Sequence, residues 1–170
     1  MQQYEKDVIY ARENKLDKRF ANSIIEHARI LTKEIILDAN STIRILSDSF
    51  NEYFYSDLKN EIEQFLKKNN SKIELIVAKS DKTNQLIKYF REKFPEKFIV
   101  KFIEHNYFPK DKETEEYVNY IVNDNNAFRY EYSDKELNNG YVNAIANFNN
   151  KNDSEQLNNF FDKIKNYKSM

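Results

Sequence analysis

The residues best able to do chemistry fall in one stretch, Tyr117-Val118-Asn119-Tyr120-Ile121-Val122-Asn123-Asp124-Asn125-Asn126-Ala127-Phe128, and in the runs that follow it. The stretch offers a phenol at Tyr117, an amide at Asn119 and an acid at Asp124. A tyrosine hydroxyl, with a pKa of about 10, stays protonated without a neighbouring base, so Tyr117 is a weak candidate nucleophile. Asp124 stands in an Asn-rich turn, where it either meets a ligand or caps the hairpin through its own backbone. Arg129 and Glu131 are two apart on a strand and share a face. They could grip a polar ligand, and a solvated pair on the outer face of an edge strand would read the same way.

Three further groups bear polar chemistry. Asn147 and Asn149 flank Phe148, so if the ring faces the core the amides point the other way, toward a ligand or a structural hydrogen bond. Ser47 and Asp48, followed by Ser49, close a β-branched run, at the end of a strand where open α/β sheets commonly meet ligands; the same residues could equally cap the next helix. His105 follows the third strand and reads as structural or solvated, because an H-x-K pattern would need Lys at Tyr107; His27 reads as a surface residue beside Glu26 and Arg29.

Composition closes off other chemistry. With no Cys there is no thiolate nucleophile, disulfide or Cys-ligated zinc, and with one Gly there is no glycine-rich phosphate loop. The two His residues, far apart, exclude the H-E-x-x-H zincins; one His with carboxylates from elsewhere could still hold a metal, but no cofactor or metal is implied. The 27 basic and 28 acidic residues leave a net charge of -1, which argues against a large sequence-independent nucleic-acid binder. The lysines of Lys15–Arg19, Lys67-Lys68 and Lys163–Lys165 are diluted by acids or apolar residues and read as solvated helix faces. Tyr4, Tyr10, Tyr53 and Tyr55 either fill the core or form an aromatic patch for a partner. No apolar run approaches the roughly 18 residues of a bilayer span, and the start lacks a secretory pattern, so a soluble, cytoplasmic protein without membrane insertion is expected.

The elements that must position these groups follow from periodicity. Phe20, Ile24, Ala28, Leu31 and Ile35 lie along one face of a helix predicted over 16–38, after a polar lead-in over 1–15. Residues 42–46 form a strand. Ser47-Asp48-Ser49 caps a helix bearing Phe54, Leu58, Ile62, Phe65 and Leu66. A strand at 72–77, a Ser80-Asp81 cap and a helix stopped by Pro95 repeat the unit, and a third strand covers 98–103. Residues 117–122 and 127–132 form a hairpin around Asn123-Asp124-Asn125-Asn126, a turn that tolerates positive φ without glycine. A strand over 141–148 and a helix with an Asp153–Gln156 capping box complete the chain. The order predicts a single α/β domain over 1–170, with a mixed sheet parallel at the crossovers and antiparallel at the hairpin.

From residue 16 to 168 this order resembles a single half-unit of the phospholipase D superfamily. That family's H-x-K-x-x-x-x-D motif places its His at Tyr117, its Lys at Asn119 and its Asp at Asp124; only the acid is kept, and the following Gly-Ser-x-Asn element is absent. The chain is similar to catalytically degenerate members with an Arg-x-Glu strand, here Arg129 and Glu131, and an Ala-x-Asn-Phe-Asn strand, here Ala146-Asn147-Phe148-Asn149. The resemblance implies a non-catalytic interaction or ligand-sensing module, a homodimer with its half-sites paired across a two-fold axis, and an unidentified protein or small-molecule partner. Two alternatives stand beside it: a divergent metal-independent phosphodiesterase or nuclease using His105 or Tyr117, and a nucleic-acid-binding regulatory protein, which the charge balance does not favour.

Overall fold

The computed structural model describes residues 2–112, 115–131 and 143–167. In chain order the elements are α1 (Gln2–Glu13), β1 (Phe20–Asn22), α2 (Ile25–Asp38), β2 (Thr42–Ser47), α3 (Glu52–Ser56), α4 (Lys59–Lys67) and β3 (Lys72–Ala78). They continue with α5 (Gln85–Lys93), β4 (Phe98–Ile103), β5 (Asn119–Asn123), β6 (Phe128–Glu131), β7 (Ala144–Asn147) and α6 (Lys151–Asn166). The seven strands form one mixed sheet in the order β1-β7-β6-β5-β2-β3-β4. Strands β2, β3 and β4 are parallel, as helical crossovers require, and the pairs from β2 through β5, β6 and β7 to β1 are antiparallel.

Alternation along the strands divides the core in two. Ile43 and Ile45, with Ile73, Leu75 and Val77 beside them, face Leu31 and Ile35 of α2, Ile62 and Phe65 of α4, and Phe90 of α5. Leu46, Ile76, Tyr120, Val122 and Phe128 face the other way, where Phe161 of α6 is fully buried among them. One helix therefore covers that second face. Its seat is fixed by the Tyr120 hydroxyl, which donates to the Leu157 carbonyl at 3.0 Å.

The second strand pair of the predicted hairpin forms as expected, with Phe128 opposite Val122 and Glu131 opposite Asn119. Asn126 takes φ 64°, supplying the left-handed turn residue without glycine. Several boundaries differ from expectation. The lead-in is the helix α1, whose Val8 and Ala11 are fully buried and whose Arg12 Nε lies 2.6 Å from Glu34 of α2. The long first helix starts only at Ile25, because Phe20–Asn22 pairs antiparallel with β7; the four-residue spacing of Phe20 and Ile24 imitates a helical stripe across that break. The next helix is broken between α3 and α4.

The caps shift as well. Asn51, not Ser47-Asp48-Ser49, accepts from the Phe54 amide at 2.9 Å, and Asn84, not Ser80-Asp81, accepts from the Ile87 amide at 2.9 Å. Asn150 caps α6 through the Asp153 amide at 3.0 Å, so Asp153 lies inside the helix rather than before it. Asparagine serves all three N-termini, and in a chain this rich in Asn the competing Ser and Asp residues were the more visible signal. Tyr141 and Val142 of the expected last strand, and Tyr132 of the hairpin, lie outside the described residues. Among the described residues no helix is long and apolar enough to cross a membrane.

Candidate functional site

Two of the concave regions among the described residues gather polar side chains that bear on function. The first is a cavity of about 240 Å³ at the carboxyl end of β2, between the sheet and the α2 and α3 helices. Ser47 ends β2, Asn119 begins β5 and Glu131 ends β6; antiparallel pairing brings all three to the same end of the sheet. Five of the residues singled out in the sequence, Ser47, Asp48, Asn119, Arg129 and Glu131, border this one space.

Its polar groups are held firmly. Asn119 accepts from the Asp48 amide at 2.8 Å and donates to the Tyr117 carbonyl at 3.2 Å, fixing the loop after β2 against β5. The Ser47 hydroxyl donates to the Ser49 carbonyl at 2.8 Å, a turn contact rather than a helix cap. Arg129 is only 4% exposed, because β6 lies between β5 and β7; it is not a solvated residue of an edge strand. Its Nε donates to Asn22 Oδ1 at 3.1 Å and its Nη1 to Glu131 Oε1 at 2.5 Å. Tyr55 of α3 closes the same wall, and burial first, then the nearby Glu131 charge, push its phenol pKa up, so it stays protonated as a neutral donor.

The remaining sequence candidates stand elsewhere. The Tyr117 hydroxyl is hydrogen-bonded to His105 Nδ1 at 3.0 Å, and its ring packs edge-on against Phe108. Asp124, Asn147 and Asn149 lie at the opposite end of the sheet, each engaged with a loop. Asp124 accepts from the Asn40 and Ser41 amides at 2.9 and 2.8 Å and from the Ser41 hydroxyl at 2.7 Å, so it ties down the turn before β2 rather than its own hairpin. Asn147 donates to Asp17 at 2.7 Å and Asn149 to the Lys15 carbonyl at 2.8 Å. His27 is not a free surface residue; it stacks on Tyr4 with ring centroids 3.7 Å apart.

The second region was not found by the sequence reading. It is a groove of about 560 Å³ along the open edge of β4, bordered by Lys79, Lys82, Lys101 and Lys163 and by Phe102, Tyr107 and Tyr167, with Glu104 the one acid lining it among the described residues. Lys79 pairs with Glu104. Lys101 Nζ donates to the Ile164, Lys165 and Tyr167 carbonyls at 3.0, 2.7 and 2.9 Å, a cation placed on the negative end of α6. Lys82 and Lys163 form no ion pair or hydrogen bond among the described residues, and Lys82 and the Arg91 guanidinium each stand 5.9 Å from the Phe102 ring centre. Tyr107 and Tyr167 are 62% and 64% exposed. The lysines come from three separate segments of the chain, the Lys79–Thr83 turn, β4 and α6, so no single local cluster announces them. Lys163 and Lys165, expected on one solvated face, part company: Lys165 turns inward to Glu74 at 2.8 Å.

No known family profile matches the chain, and no curated protein matches it. A solved structure does: TrmBL2, described as an archaeal chromatin protein with a novel mode of DNA binding, superposes with a TM-score of 0.63 at 13% identity. The match covers 96% of this chain and 59% of that one, so the chain spans about three-fifths of the length of its structural neighbour. The phospholipase D resemblance is thereby corrected: the architecture matched is that of a chromatin protein. The reading as a degenerate phospholipase D-like interaction or ligand-sensing module falls with it, and the expectation of a homodimer loses the resemblance it was argued from. The motif register failed because it was carried by one aspartate, and Asp124 has a sufficient structural reason to be there in the Asn40-Ser41 turn. What the likeness establishes is the fold, a seven-stranded mixed α/β sheet with helices on both faces and at both ends.

Proposed function

We propose that the chain binds nucleic acid through the groove at the β4 edge. The observation that carries this reading is the alternation there of basic and aromatic side chains: Lys82 and Lys163 are unpaired among the described residues, the Arg91 guanidinium stands 5.9 Å from the Phe102 ring centre, and Tyr107 and Tyr167 stand open to solvent. Lysine ammonium groups attract phosphate, and exposed aromatic rings accept stacked bases. The structural neighbour's description as a DNA-binding chromatin protein supports the same reading. A net charge of -1 is compatible with it, because the groove concentrates four lysines against one glutamate while the compensating acids lie elsewhere. Local field, not total charge, steers a polyanion onto a surface.

The test is fluorescence anisotropy of a labelled oligonucleotide, single-stranded and duplex, at two salt concentrations. Binding that weakens as salt rises, and that disappears in the double variant Lys82→Glu, Lys163→Glu, is the expected result. Absence of binding at low salt, or binding indifferent to that double variant, would remove the groove from consideration.

A further inference from the structure

The cavity at the end of β2 is bordered by a guanidinium nitrogen without an acceptor and by a carboxylate without a partner among the described residues, although Arg129 is itself ion-paired with Glu131 through Nη1. Arg129 is buried and uses Nε and Nη1, but its Nη2, also buried, has no acceptor among the described residues. An unpartnered buried donor on a guanidinium is costly and calls for an acceptor. Asp48, on the same cavity, uses its backbone amide on Asn119 while its carboxylate makes no hydrogen bond or ion pair among the described residues. A plain anion would answer Arg129 but face the carboxylates of Asp48 and Glu131. A plain cation would answer Asp48 and leave the guanidinium nitrogen without an acceptor.

We propose that this cavity binds a small zwitterion of the amino-acid class, its carboxylate supplying the acceptor that Arg129 Nη2 lacks and its ammonium group pairing with Asp48. The rest of the wall suits a short apolar side chain, since Ile25, Ala28 and Phe54 border the same space. The volume of about 240 Å³ limits the guest. At the ~30 Å³ that a water molecule occupies in the liquid, it admits roughly eight non-hydrogen atoms, the size of valine. The proposal stands apart from the β4 groove and does not depend on nucleic-acid binding.

Isothermal titration of the full chain with L-valine tests it, beside two compounds that each keep the branched side chain and one charge: isobutylamine, which lacks the carboxylate, and isovalerate, which lacks the ammonium. Saturable L-valine binding is expected, with each half-compound weaker by about tenfold or more, the equivalent of one lost charged contact. Asp48→Asn is expected to weaken L-valine to a similar degree while leaving the unfolding midpoint unchanged, because the Asp48 carboxylate makes no hydrogen bond or ion pair among the described residues. Arg129→Lys, which keeps the charge but removes the guanidinium fork, is expected to weaken it too. Absence of L-valine binding, a half-compound that binds equally well, or an Asp48→Asn variant with unchanged affinity would each overturn the proposal.

Discussion

Arg44 on β2 and Glu74 on β3 are register partners, and Arg44 Nε lies 3.2 Å from Glu74 Oε2 beneath α6. The carboxylate, 3% exposed at the residue, also receives Lys72 at 3.1 Å and Lys165 at 2.8 Å, so one buried acid joins two strands to the last helix. Burial acts to raise the Glu74 pKa, but the hydrogen bonds and charges of Lys165 and Lys72 outweigh it and hold it below its ordinary value near 4.5. A depressed folded-state pKa means the unfolded chain binds more protons. Its stabilisation is complete above pH 4.5 and is lost as pH falls through the lower folded value. Glu74→Gln should cost roughly 1.5–3 kcal/mol at neutral pH, the range for hydrogen bonds to charged groups. Urea unfolding followed from pH 7 to 3 should show a shallower acid loss for the variant than for the parent chain.

Asn123 is the joint on which the hairpin turns. Its Oδ1 accepts from the Asn125 and Ala127 amides, both at 2.9 Å, and its Nδ2 donates to the Ile35 carbonyl at 3.0 Å and to Asp38 at 3.1 Å. At 2% exposure none of these groups can turn to water. Asn123→Ala should therefore destabilise by about 2–4 kcal/mol, since it leaves buried donors and an acceptor unmet. Asn149→Ala, which breaks one exposed contact to Lys15, should cost under about 1 kcal/mol. Thermal denaturation of the two variants side by side tests the contrast, and equal losses would contradict it.

The second core offers a sharper test of the single-helix cover. Phe161 is fully buried against Leu46, Ile76 and Val122, and the Arg44 guanidinium stands 5.3 Å from its ring centre. Truncation to Ala should cost about 3–5 kcal/mol, the usual range for a buried phenylalanine. Leu157→Ala, at a partly buried position on the same helix, should cost visibly less. Chemical denaturation with unchanged slope would show that stability, not compactness, was altered.

What the sequence made legible was what periodicity controls. Strands β2, β3 and β4 and the hairpin were read correctly because apolar alternation and the Asn-rich turn are local signals. Strand β1 was not, because three residues carry no period of their own and form a strand only where β7 offers an open edge. Ser47, Asp48, Asn119, Arg129 and Glu131 were all named as site candidates and lie around one cavity, but nothing local joins residue 47 to residue 131; the antiparallel register does that. The β4 groove escaped notice for the same reason. Its lysines come from three segments distant in the chain, and each looks like a solvated charge until the Lys79–Lys82 turn, Lys101 and Lys163 are brought to one edge.

Substitutions within that groove should separate phosphate attraction from base stacking. Lys82→Ala and Lys163→Ala each remove one unpaired cation, so each should lower the slope of log affinity against log salt for a single strand by roughly 0.7. Tyr107→Ala and Tyr167→Ala remove no charge and should leave that slope unchanged, while weakening single-strand binding by about 1–3 kcal/mol per stacked base. Duplex DNA keeps its bases paired and stacked, so the tyrosine variants should affect it less than they affect a single strand. Lys101 is unsuited to this comparison, because its ammonium group holds the last carbonyls of α6 and its removal would disturb the groove wall as well as its charge. Anisotropy titrations across a salt series measure slope and affinity together. A tyrosine variant that changed the slope, or a lysine variant that changed affinity equally at every salt, would show that the groove does not divide its work between phosphate and base.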